Sequence, residues 1–149
     1  MTQTREMIPV AGLLATIVAA GYIVVQLNAQ DRSDEAIDLR NAATVEVRDG
    51  QGQVVLNGTF MPADEEDDDV ERKATLRPTS ADADAAGEAE VEFAKEMPVE
   101  QEVEFAGRNL QAGGQYTLVV DGRDVTSGVA DRNGRLELER NVGIPGATR

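Results

Sequence analysis

The chain contains no cysteine and no histidine. Disulfides, Cys/His zinc sites, thiolate nucleophiles and histidine general bases are therefore excluded. Whatever holds the fold together does so without oxidation. Aromatics are scarce too, with three Phe, two Tyr and no Trp among 149 residues. Tyr22 falls in an apolar segment near the N-terminus, which leaves Phe60, Phe93, Phe105 and Tyr116 for a globular core. Such a core must rest mainly on Val, Leu and Ala. Positive charge is also in short supply: 14 Lys and Arg stand against 28 Asp and Glu, for a net charge of −14. A surface of that sign repels nucleic-acid phosphates and anionic lipid head groups. It favours solubility, cations or a basic protein partner.

Charge is absent altogether between Glu6 and Asp31. The apolar part of this run, Met7 to Leu27, would span about 30 Å as a helix, the thickness of a bilayer's hydrocarbon layer. Pro9 sits in its first turn, where a missing N–H costs least. Residues 1–30 are therefore expected to form a single-pass transmembrane anchor. The alternative is a signal peptide cleaved after Ala20, since Val18-Ala19-Ala20 supplies small residues where cleavage needs them. Arg5 precedes the run and Asp31, Asp34 and Glu35 follow it, which places the C-terminal part outside the cytoplasm. Cleavage would make it periplasmic or secreted. Gly12, Thr16 and Ala20 recur at four-residue spacing, a stripe that lets two membrane helices approach closely.

Roughly 100 residues remain, enough for one modest core. Residues 31–43 read as a short helical stalk, capped by Ser33 with Asp34 and Glu35 in its first turn. From Thr44 the apolar period changes to two. Val45 and Val47 open a strand, Asp49-Gly50-Gln51-Gly52 turns it, and Gln53 to Phe60 returns. Pro62 to Glu71 reads as a mobile loop around the run Asp64-Glu65-Glu66-Asp67-Asp68-Asp69, whose charges repel one another. Alternation resumes over Arg72–Arg77, Glu88–Lys95, Val99–Ala106, Gln115–Val120, Val125–Ala130 and Arg135–Arg140. Asp121-Gly122 and Asn133-Gly134 supply further turns, and a disordered tail is expected over 143–149. The acidic β domain thus covers 44–142. About seven to eight short strands at even spacing predict a mainly β fold, an antiparallel sandwich or barrel-like sheet whose wet faces are rich in Glu.

Few residues offer chemistry. Asp64, Asp67, Asp68 and Asp69 are calcium candidates by type, since calcium takes several carboxylate oxygens, but no Gly folds the run around an ion. Asp131-Arg132-Asn133-Gly134 has part of a calcium loop without its distal Glu, and a hairpin turn explains it more simply. No serine has a histidine partner, and no glycine-rich loop leads from a strand into a helix. The expectation is a protein that is not an enzyme and takes no cofactor.

Tyr116-Thr117-Leu118-Val119-Val120-Asp121-Gly122 and then Val129-Ala130-Asp131-Arg132-Asn133-Gly134-Arg135-Leu136-Glu137-Leu138 resemble the closing strands of small exported bacterial β-rich domains. In those, a strand ends in a DG turn and a later Asp-x-x-Gly turn precedes a closing strand. The resemblance covers the last third of the chain and implies export and β structure. An apolar helix followed by a β domain is also the plan of pilin-like subunits, but the Gly-Phe junction and the Glu five residues beyond it are missing. The expected function is a membrane-anchored extracytoplasmic domain with a structural or protein-binding role at the cell envelope. The alternatives are a homo-oligomer or filament subunit assembled through Gly12, Thr16 and Ala20, and a secreted calcium-responsive domain.

Overall fold

Alternating Val, Leu and Ala positions from Thr44 onward give each strand one apolar face, and these faces close on each other in the computed structural model, which describes residues 37–66, 69–96 and 98–147. The expected anchor and the stripe Gly12, Thr16 and Ala20 lie outside the described residues. Among the described residues no helix is long and apolar enough to cross a membrane.

The strands are β1 (Thr44–Asp49), β2 (Val54–Thr59), β3 (Asp64–Glu66), β4 (Asp69–Pro78), β5 (Ala86–Ala94), β6 (Glu100–Arg108), β7 (Gln115–Val120), β8 (Arg123–Val129) and β9 (Leu136–Gly143). Eight of them run antiparallel in the order β8-β7-β1-β2-β4-β5-β6-β9, and β3 pairs with β4 off this path. The halves join through a short β2–β4 ladder, Leu56 opposite Pro78 and Asn57 opposite Arg77. The end strands β8 and β9 share no ladder but meet all the same. Arg140 Nη1 donates to the Val125 carbonyl at 2.8 Å, and the Leu136 and Leu138 side chains lie against Gly128. The sheet is thus a nearly closed barrel.

Val45, Val47, Leu56, Val91, Val103, Leu118 and Val125 fill the interior, as the alternation predicts. Phe105 is its largest fully buried side chain. Gly87 and Gly107 face each other on β5 and β6, and a Cβ on either would stand 2.7 Å from the Phe105 ring. The scarcity of aromatics is met by seating this one ring against two glycines.

Two turns share one construction. In Asp49–Gln53, the Asp49 N–H donates to Gln53 O at 2.9 Å and the Gly52 N–H to Asp49 O at 2.9 Å. The Asp49 carboxylate accepts the Gln51 and Gln53 N–H groups. Asp131–Arg135 repeats every one of these bonds, with Gly134 in the place of Gly52. Gly52 and Gly134 take φ of 81° and 71°, which glycine adopts without strain. The expected two-residue Asn133-Gly134 turn is therefore a longer one that starts at Asp131. At Asp121-Gly122 both residues have positive φ, 47° and 79°, the geometry of a tight primed hairpin turn.

Three further expectations are corrected. Residues 37–43 are not helical; they form an extended strap with one turn. Ile37, Leu39 and Ala42 are buried in the barrel core, so burial overrides a weak local helix preference. The acidic run is not wholly a loop, because Asp64–Glu66 pairs with Asp69–Glu71 as a short hairpin. Nor is the tail free from Gly143: β9 extends to that residue, Ile144 is buried, and the Ile144 N–H donates to Val99 O at 3.1 Å.

Polar side chains hold the strap, which forms no strand ladder among the described residues. Gln101, 1 % exposed, accepts the Leu39 N–H on Oε1 at 2.9 Å and donates from Nε2 to the Ile37 carbonyl. Arg72 donates from Nη1 to the carbonyls of Ala42 at 2.7 Å and Arg40 at 3.1 Å, with its guanidinium 5.8 Å from the Phe60 ring centre. The Asp121 carboxylate accepts the N–H groups of Ala43 and Thr44 and the Thr44 hydroxyl.

Candidate functional site: a carboxylate-lined sheet face

Strand alternation sends Glu88, Glu90 and Glu92 outward from β5, Glu102 and Glu104 from β6, and Glu137 and Glu139 from β9. The register then lines them up in rows. One row runs Lys73, Glu90, Glu104, Glu139 across four strands. The next runs Glu71, Glu92, Glu102, Asn141. A third runs Thr75, Glu88, Ala106, Glu137. Carboxylates that stand directly opposite on neighbouring strands repel each other.

Lys73 lies inside this field. It pairs with Glu71 and, at 3.8 Å, with Glu90. Farther along β6 and β9 the convergence is tightest: the carboxylates of Glu102, Glu104 and Glu139 each offer an oxygen within 4.8 Å of the others. A hydrogen bond shared with Glu139, partial desolvation and the negative charges of Glu139, Glu104 and Glu92 push the Glu102 carboxyl above its ordinary value. Beyond the third row the sign of charge reverses. Arg108 lies opposite Ala86, Arg77 is on β4 and Arg135 immediately precedes β9, and all three are exposed.

The face is concave. A hollow of about 690 Å³ is bounded by Lys73, Glu88, Glu90, Glu104, Glu137 and Glu139, with Ala106 in its lining and Met61 at its edge. A smaller hollow of about 370 Å³ continues to Arg108 and Arg135. Met61 is 63 % exposed, the highest value among the large apolar side chains of the described residues.

The sequence-predicted residues lie elsewhere. Asp64 stands opposite Glu71, and Asp69 opposite Glu66 and Ala94. Asp67 and Asp68 lie outside the described residues. Asp131 has its carboxylate occupied by the Arg135 and Asn133 N–H groups, which hold it below the usual range, so a turn accounts for it. The Glu-rich strand faces are visible in the sequence as alternation. Their convergence at Glu102, Glu104 and Glu139 is not, because it depends on which strands become neighbours. Gln101, Arg72 and Asp121 are also missed, for the same reason.

Fold and face together define an antiparallel, nearly closed barrel-like β domain with one strongly acidic side. No protein-family model matches the chain, and no curated protein and no solved structure matches it.

Proposed function

We propose that this chain is a non-enzymatic, membrane-anchored extracytoplasmic β domain with a structural or protein-binding role at the cell envelope. The observation that carries the binding role is the one-sided carboxylate field over β4, β5, β6 and β9. Such a surface is soluble and specific for positive charge, and it repels nucleic acids and anionic lipids. The lack of histidine and cysteine supports a role without catalysis, and the uncharged run from Met7 to Leu27 supports the anchor. The resemblance of the closing strands to small exported bacterial β domains agrees with a place outside the cytoplasm.

Membrane fractionation with an alkaline wash tests the anchor. The full-mass chain is expected in the washed membrane pellet, and its recovery in the soluble fraction sinks the anchor. Added protease should digest the domain in spheroplasts but not in intact cells. A second reading, a homo-oligomer assembled through the N-terminal segment, rests on the spacing of Gly12, Thr16 and Ala20. Replacing Gly12 and Thr16 by Leu should then reduce particle size in detergent, and an unchanged size removes that reading.

A further inference from the structure

Resting on the protein-binding reading above, we propose that the outer face of β4, β5, β6 and β9 docks an extended basic polypeptide segment laid along β5 and β6, with its cations on alternate residues. The spacing argument comes from the strands themselves. Outward residues along a strand recur about every 6.8 Å. Glu88, Glu90 and Glu92 on β5, and Glu102 and Glu104 on β6, therefore repeat at the interval of alternate residues in an extended partner. The register places these repeats side by side, Glu90 against Glu104 and Glu92 against Glu102. Cations laid over these two rows meet a carboxylate from each strand, and at the next step Glu88 alone, opposite Ala106.

Shape and polarity agree with that occupant. The hollow bordered by Glu90, Glu104 and Glu139 runs on past Ala106 towards Arg108 and Arg135. Ala106 is a small exposed residue that lets a backbone approach. The exposed Met61 offers apolar contact at the margin. The arginines at one end reverse the charge, so the partner carries an acidic group or its C-terminal carboxylate there. A second copy of the chain on this face would bring carboxylates onto carboxylates around Glu104, which favours a basic partner instead.

Calorimetry of the full chain in neutral detergent tests this, using synthetic peptides of about 12 residues. One alternates Arg with Ser; another has the same composition with all Arg in one block; spermine supplies cations without a backbone. The alternating peptide is expected to bind best, to weaken as salt rises, and to lose about ten-fold in affinity when Glu90, Glu104 and Glu139 are all changed to Gln. Changing Asp64 to Asn together with Glu65 and Glu66 to Gln should leave its affinity unaltered. The melting temperature of the face variant, equal to or above that of the wild type, certifies its fold. Equal binding of the alternating and block peptides overturns the proposal, as does spermine binding as tightly as the alternating peptide. A loss confined to the hairpin variant also overturns the docking face but leaves a protein-binding domain. Failure of every basic peptide to bind at low salt removes the binding reading itself.

Discussion

Gln101 stands in for a missing strand beside Leu39: its amide accepts the Leu39 N–H at 2.9 Å and donates to the carbonyl of Ile37. The side chain supplies one acceptor and one donor, the pair that a neighbouring backbone would provide. Changing Gln101 to Leu leaves the Leu39 N–H and the Ile37 carbonyl buried without partners. The expected cost is about 2–3 kcal/mol, read as a lower denaturant midpoint with an unchanged slope. A midpoint within error of the wild type would show that the strap does not depend on this clamp.

Asp121 joins the other end of the strap to the β7–β8 turn. Desolvation raises its carboxyl, but the hydrogen bonds from Thr44 and Ala43 outweigh that and hold it below the ordinary value of 3.8. A depressed carboxylate contributes stability that is present above its unfolded value and is lost as pH falls through the folded one. Acid should therefore loosen the strap below about pH 4. Changing Asp121 to Asn keeps a residue that tolerates positive φ while removing the charge. That variant should lose about 1 kcal/mol at neutral pH and show a flatter acid limb. Amide exchange at Ala43 and Thr44 across pH 3 to 6 measures it.

Glu102 has the opposite pH dependence. Glu102 titrates above its ordinary value of 4.5 in the folded domain, because of its hydrogen bond with Glu139, burial and the surrounding negative charge. A raised carboxyl costs stability at neutral pH, and that cost is relieved as pH falls through the folded value. The melting temperature should rise on mild acidification towards pH 5 and fall again once Asp121 is protonated. Changing Glu104 to Gln removes repulsion with Glu90 and Glu139 and should stabilise by about 0.5 kcal/mol at pH 7, or roughly 2–4 °C in melting temperature. The gain should shrink in high salt. A melting temperature that falls monotonically from pH 7 would contradict this.

Gly107 lies against the ring of Phe105. An alanine methyl there would stand 2.7 Å from Phe105 Cζ and 3.0 Å from Leu110 Cδ1. Changing Gly107 to Ala should cost about 1–3 kcal/mol by overpacking. Pairing it with Phe105 changed to Leu should recover part of that cost, which a double-mutant cycle would reveal as coupling.

Much of the barrel was legible beforehand because strand alternation is local. Val45, Val47, Val91, Val103, Leu118 and Val125 all point inward where a period of two puts them, and Asp121-Gly122 turns where its residue types require. The strap was misread because Ile37 and Leu39 fit the sparse apolar pattern of a short helix as well as that of an extended segment. Their burial depends on Gln101, which lies 62 residues from Leu39 in the chain. The shared construction of the Asp49–Gln53 and Asp131–Arg135 turns shows only in their hydrogen bonds, since the two segments have just the leading Asp and the fourth-position Gly in common.

By itself the sequence determined composition-level properties: the exclusion of thiol and imidazole chemistry, the negative charge, the uncharged N-terminal run and the sequence of short strands. Only the tertiary structure decided that Glu102, Glu104 and Glu139 converge and that three arginines lie at one end of their face. Alternation fixes which way a side chain points, whereas strand order and register fix its neighbours, and those are set by the packing of the whole barrel around Phe105 and the strap.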